Sequence, residues 1–191
     1  MLRMTPKLSL HADPGRRRIA WQVGESHIDP ASQQGGDTAA AGVITRPPFL
    51  YLACLILGLV LDRMMRLPLT LPKTALVRWS AGGGLILLGV AIFAGGVRNF
   101  FHAATPVPSN QPVRALVTTG IHGWSRNPIY VGMFLLYAGI GLVARSAWVL
   151  ILTLPLAITL RYGVVAREEA YLERRFGDAY RDYKARVRRW L

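Results

Sequence analysis

The chain alternates long apolar runs with short polar breaks, and most of its charge sits in the breaks. Residues 1–45 carry no sustained hydrophobic period and hold Asp13-Pro14-Gly15, three successive arginines and a Gln-Gln-Gly-Gly stretch. They read as a mobile polar tail, distinct from a membrane-embedded domain over residues 46–191. Pro47 and Pro48 open a first apolar run over residues 49–61. It approaches membrane-spanning length when extended to Met65 with Asp62 and Arg63 at the interface. A loop marked by Pro68 and Pro72 comes next, then a glycine-rich run over residues 79–101. Within that run Ala91 and Gly95 offer a small-xxx-small face for close helix packing.

A proline-rich loop over residues 104–112 leads into LVTTGIHGWSRNPIY, residues 116–130, a polar, turn-rich and aromatic stretch. A third apolar run occupies residues 129–144. After only Arg145 and Ser146, a fourth begins at Ala147 and fades through Arg161 toward Ala166. Two apolar runs with so short a break predict a tight helical hairpin. At about 1.5 Å per residue, the descending arm regains the level of Pro128 near residue 163. Arg161, Arg167, Glu168 and Glu169 are thereby expected to return to the level of Arg126, Asn127 and Tyr130. Beyond them Tyr171, Leu172, Phe176, Tyr180, Tyr183 and Val187 recur at three- to five-residue steps between arginines. That pattern predicts an amphipathic helical tail, broken or bent at Gly177. The expected fold is all-α: an integral-membrane bundle of about four transmembrane helices, including the hairpin, with an amphipathic C-terminal helix.

Charge sharpens this picture. A formal charge of +13 accompanies 52% hydrophobic residues, and the basic residues flank the apolar runs without striping a face. That excludes a soluble nucleic-acid binder in favour of a membrane protein with basic flanks. With four spans, 18 of the 23 basic residues fall on one side and 5 on the other. The imbalance predicts both termini and the charged cluster on the cytoplasmic face of a cell inner or plasma membrane. Cys54, the single cysteine, reads as a buried small hydrophobe. The four histidines are scattered, so no metal site is expected. Charge at the mouth of an apolar hairpin is costly unless it is hydrated, paired or bound to something, which makes this cluster the candidate site.

Two ordered elements make the stretch specific. One is Arg126-x-Pro128-x-Tyr130-x-Gly132; the other is the pair Glu168-Glu169 ahead of Phe176-Gly177-x-x-Tyr180-x-x-Tyr183. Together, across an apolar hairpin, they resemble the isoprenylcysteine carboxyl methyltransferase family, which belongs with the membrane phospholipid methyltransferases. The resemblance covers about residue 93 to the C-terminus. It implies an integral-membrane enzyme using S-adenosyl-L-methionine and methylating a lipophilic acceptor, prenylcysteine-like or phospholipid, at the lipid bilayer. It carries cofactor contacts onto Arg114, Ala115, Leu116, Val117, His122, Asn127, Pro128, Ile129, Tyr130 and Glu168. Eukaryotic members have His at the position of Asn127 and often Tyr at that of His122. Asn127 keeps hydrogen-bonding capacity but cannot become cationic.

The residue types suit that chemistry. Glu168 or Glu169 is expected to accept from the cofactor's ammonium or ribose hydroxyls, and the Gly120–Gly123 turn to hold its carboxylate. Tyr130 and His122 are expected to flank the adenine. Glu168, Arg126, Arg161 and Arg167 are the candidate catalytic residues, with Arg161 or Arg167 holding an anionic acceptor. Methyl transfer to a carboxylate needs alignment and desolvation. Transfer to a phosphatidylethanolamine nitrogen needs a base as well. O-methylation is the leading reading; N-methylation of a phospholipid and a non-catalytic membrane scaffold are the alternatives.

Overall fold

Pro47, whose missing N–H is no loss in a first turn, starts α1, Pro47–Met64. The structure, a computed structural model, describes residues 46–67, 74–107 and 112–191. The tail expected over residues 1–45 lies outside the described residues, as do parts of the loops expected around 68–72 and 104–112. Among the described residues five further α-helices come after α1. They are α2, Ala75–His102; α3, Pro128–Ala144; α4, Ala147–Leu160; α5, Ala166–Phe176; and α6, Asp178–Arg186. Among the same residues there is no strand.

The hairpin forms at the polar break between the apolar runs. Arg145 takes the left-handed conformation (φ 55°, ψ 32°) at the end of α3. Ser146 Oγ then accepts from Val149 N–H and caps α4. α4 runs on through a π turn, Arg161–Val165, into α5, so that Ala147–Phe176 forms one apolar helix of 30 residues. With α1 (18 residues) and α2 (28 residues), it makes three helices, among the described residues, long and apolar enough to cross a membrane. α3, at 17 residues, is one short of α1. Its length of about 25 Å falls below the roughly 30 Å of a hydrocarbon core. Large apolar side chains on the outer faces, such as Leu52, Leu87, Leu88 and Leu154, are exposed. In water that would be costly; in an integral membrane protein it is the lipid-facing surface.

α3 is the hub, packed along α2 on one side and α4 on the other, and α4 packs in turn on α1. The α2–α3 seam differs from the expected one. Ala91 is exposed and Gly95 meets only Ile121, no closer than 3.8 Å. The close approach is made instead by glycines seven residues apart: Gly82 and Gly89 on α2 against Gly139 and Gly132 on α3, with Gly96 against Ile129. A Cβ on Gly132 would lie 2.7 Å from Phe93 N and 2.8 Å from Gly89 O. A seven-residue repeat keeps one face turned to its neighbour along the whole helix; a single four-residue step does not. On α1, Gly58 sits in the same way against the backbone of Val149. Tyr51, Tyr130, Tyr137, Val149, Leu156, Leu160, Val164 and Val165 form the core. Cys54 is only partly buried and packs against it.

These contacts fix direction. Tyr51 Oη donates to Tyr130 O at 3.1 Å, and Trp148 Nε1 to Met65 O at 2.7 Å. The starts of α1 and α3, the end of α2 and the π turn therefore share one end of the bundle. The hairpin tip occupies the other.

Candidate functional site

The loop that enters α3 is shaped by one glycine and one asparagine. Gly120 has φ +60°, and a Cβ there would stand 2.7 Å from Asn99 Nδ2, so only glycine suits the position. Asn99, near the end of α2, donates from Nδ2 to Thr119 O at 2.8 Å and lies 3.2 Å from His122 Nδ1. The resulting 3-10 turn, Gly120–Gly123, buries His122 edge-on against Phe100 with ring centroids 5.0 Å apart. Burial lowers the His122 pKa to about 4, so the ring is neutral at pH 7. The N–H groups of His122 and Trp124 bond back into the loop, to Thr119 O and Ile121 O, and so are not free for a ligand. Trp124 is exposed. Ser125 Oγ accepts from Asn127 N–H at 3.2 Å, turning the chain into Pro128 at the head of α3.

The other wall comes from the long helix. In the π turn Ala166 N–H bonds to Arg161 O, five residues back. That inserts one residue into the α-helical register and rotates the remainder of the helix by about 100°. Glu168 and Glu169 are buried and Arg167 is exposed. Tyr130 Oη donates to Glu168 Oε1 at 2.8 Å, joining the two arms of the hairpin. Glu169 takes a different role. Arg189 grips it at two points, Nε to Oε1 at 2.9 Å and Nη2 to Oε2 at 2.7 Å, and Arg126 Nη1 lies 3.2 Å from Oε1.

The amphipathic tail folds inward beneath the loop. Val113 N–H donates to Tyr171 Oη, and Tyr183 Oη donates to His122 O at 2.7 Å. Tyr180 is almost wholly buried. Its phenol is pushed up to about 12, chiefly by burial and then by Glu169, with Arg126 acting the other way. Burial likewise raises Tyr183. The tyrosines expected on an interfacial face thus form the floor of the site.

A cavity of about 590 Å³ opens between these walls, within the usual range for small-molecule sites. It is lined by Arg46, His122, Arg126, Asn127, Pro128, Ile129, Tyr130 and Glu168, with Pro47, Pro48, Phe49, Phe93, Val97, Phe100 and Met133 forming an apolar side. Ala115, Leu116 and Val117 line a narrow adjoining recess that shares Phe100, His122, Arg126, Asn127 and Glu168 with it. Of the thirteen site residues expected from the sequence, ten line these two spaces and three do not. Arg114 is exposed beside Thr105 and Arg175. Arg161 lines an outer groove with Tyr162 and Trp190, and Arg167 lies outside both spaces. Phe93, Val97, residues 46–49 and Arg189 belong to the site without having been expected there. The first two carry a signal, since they share a helix face with Gly89 and Gly96; Arg189 carries none.

Chemically, the cavity offers a buried carboxylate, a buried guanidinium and aromatic faces within an apolar shell. Arg126 Nε and Nη1 make no hydrogen bond among the described residues. Such a site suits a ligand bearing both cationic and anionic groups.

A family model described as phospholipid methyltransferase matches residues 77–179. A protein-S-isoprenylcysteine O-methyltransferase of Rattus norvegicus is 31% identical over 126 residues, covering 61% of this chain and 42% of the rat protein. An uncharacterized protein of Haemophilus influenzae is 70% identical over 27 residues, covering 14% of this chain and 43% of that protein. The chain thus spans less than half the length of either relative. No solved structure matches.

Proposed function

The chain belongs to the phospholipid methyltransferase family, and we propose that it is an integral-membrane, S-adenosylmethionine-dependent methyltransferase acting on a lipophilic acceptor, of the isoprenylcysteine carboxyl O-methyltransferase kind. The observation that carries this reading is the buried Tyr130–Glu168 bond, which sets a carboxylate into the wall of a cavity with one polar and one apolar side. S-adenosylmethionine combines a sulfonium, an ammonium, a carboxylate, a ribose and an adenine, and when bound it supplies an electrophilic methyl group. Glu168 suits its cationic or hydroxyl groups. The positive charge of Arg126 in the cavity wall favours a carboxylate nearby, and Phe100 and His122 suit a flat ring. The residues present therefore fit the donor.

The apolar side, with Phe49, Phe93, Val97 and Met133, suits a hydrocarbon chain reaching the site laterally from the bilayer. Methyl transfer to a carboxylate requires an acceptor that is aligned and stripped of water, and an apolar wall favours both. The neutral His122 and the paired Glu169 are fixed structural groups in this reading. Glu168 provides the electrostatic complement to the donor.

Transfer from radiolabelled S-adenosylmethionine to a small prenylcysteine tests the proposal. Glu168→Gln is expected to weaken donor binding in detergent by at least about tenfold, the scale of a charge-assisted hydrogen bond. Binding of the donor with no transfer would reassign the acceptor. No donor binding by the wild type would leave a membrane scaffold as the better description. A second reading, N-methylation of a phosphatidylethanolamine headgroup, is favoured by the family match and by a carboxylate positioned to accept an ammonium proton. It predicts methylated phosphatidylethanolamine in lipid extracts of expressing cells.

A further inference from the structure

A second groove, of about 590 Å³, lies outside the site along the seam between the two arms of the hairpin. α3 lends it a stripe from Val131 to Ala138, and the descending arm lends one from Thr153 to Tyr162. At 1.5 Å per residue those stripes are roughly 10–13 Å long. They cover most of one leaflet, which is half of a hydrocarbon core roughly 30 Å thick. Ala138, Thr153 and Ala157 are small and leave the hollow. The Thr153 hydroxyl donates back to Val149 O at 3.3 Å, so the deep part of the groove asks for no polar partner. On the same arm Leu154 and Ile158 are exposed, which turns the open side of the groove toward lipid.

The shallow end has a different character. Arg161, Tyr162 and Trp190 line it. The Arg161 guanidinium stands 5.1 Å from the centre of the Tyr162 ring. Among the described residues no carboxylate pairs with it. Trp190 packs edge-on against Phe134, with ring centroids 6.4 Å apart. It follows Arg189, whose carbonyl accepts from Asn127 Nδ2 at 3.0 Å, so this end of the groove is level with the start of α3.

We infer that the groove binds an anionic phospholipid, with one acyl chain between the hairpin arms and the phosphate held by Arg161. Charge selects the headgroup. A guanidinium at the membrane interface with no carboxylate partner gains from a lipid phosphate, and gains most where no headgroup ammonium offsets it. Length selects a lipid over a soluble phosphate ester, because an apolar trough that covers most of a leaflet gives such an ester nothing to bury. A second copy of the chain is the poorer occupant, since it brings another +13 of formal charge to a basic end. Trp190 belongs both to the groove and to the segment whose Arg189 holds Asn127 and Glu169, so an occupied groove also steadies that segment. The inference needs only a chain that spans the membrane and does not rest on the methyltransferase reading.

Thermal unfolding of the full chain, stripped of lipid in a non-ionic detergent, tests this. Titration with phosphatidylglycerol or with phosphatidylcholine of the same acyl chains gives an apparent dissociation constant for each from the shift in midpoint. Phosphatidylglycerol is expected to bind the wild type at least about fivefold more tightly than phosphatidylcholine, the scale of one arginine at an anionic surface. Arg161→Gln should bring that ratio below about twofold. Arg98→Gln removes an exposed arginine near the same end of the bundle but outside the groove, and should leave the ratio as it was. Ala157→Leu fills the trough and should weaken both lipids by at least about threefold with the ratio kept; Ala138→Leu serves in its place if that variant does not fold. Native mass spectrometry should find phosphatidylglycerol retained by the wild type and lost from Arg161→Gln. If Arg98→Gln lowers the ratio as far as Arg161→Gln does, the lipid is drawn by diffuse charge and the inference fails. It fails equally if glycerol 3-phosphate shifts the midpoint as much as the lipid, or if the groove variants change only a dimer population that phosphatidylglycerol leaves intact.

Discussion

Glu168 and Glu169 are neighbours in sequence and opposites in environment. Glu168 lines the main cavity and accepts from Tyr130, while Glu169 lies between Arg126 and Arg189. A change to either removes a carboxylate, but only Glu168 is placed to meet a cationic ligand directly. His122 gives a second expectation for a single side chain. Its pKa falls from 6.5 to about 4 on burial, so between those values the unfolded chain binds the proton and the folded chain does not. The stability from the neutral ring is fully present above pH 6.5 and is lost as pH falls toward 4. The full loss is on the order of 3 kcal/mol. Thermal unfolding across that range should show the decline, and His122→Asn should flatten it.

Among the elements, two devices build the site. The π turn moves the two glutamates onto the buried face of a helix that would otherwise carry them past it. The glycine seam brings α2 against α3 closely enough that Phe93, Val97 and Phe100 reach the cavity. The seam makes a sharp prediction. Gly132→Ala drives a methyl into the backbone of α2 at 2.7–2.8 Å and should destabilise the protein by about 1–3 kcal/mol, the scale of overpacking. Gly83→Ala, where an added Cβ meets nothing within 4 Å, should be neutral or slightly stabilising. Denaturation in mixed micelles compares the two directly. If both behave alike, the seam does not carry the packing.

For the molecule as a whole, the bundle keeps the starts of α1 and α3, the π turn and the cavity at one end, with Arg145 at the other. The excess of basic residues on the site side leads us to propose that this end faces the cytoplasm. In a Cys54→Ala background, Arg145→Cys should react with a membrane-impermeant maleimide added to intact cells, and Arg174→Cys should react only after the membrane is opened. Both positions are exposed. The opposite pattern would invert the topology.

The amino-acid sequence alone determined the features that depend on local pattern. The hairpin broke at Arg145-Ser146, Pro128 opened α3, and Gly177 divided the tail. Each is a consequence of apolar run length, helical rise or a residue with restricted or unusual backbone freedom, and none needs a distant partner. Tertiary structure decided the rest. Which glycines of α2 face α3 depends on helix rotation, and a run apolar on every side fixes rotation poorly, so Ala91 and Gly95 read as readily as Gly89 and Gly96. That Glu168 and Glu169, and not Arg167, turned inward depended on the register that the π turn sets. That Arg189 would share a carboxylate with Arg126 depended on the tail folding back beneath the loop, and hydrophobic periodicity carries no information about where a chain so bent will end.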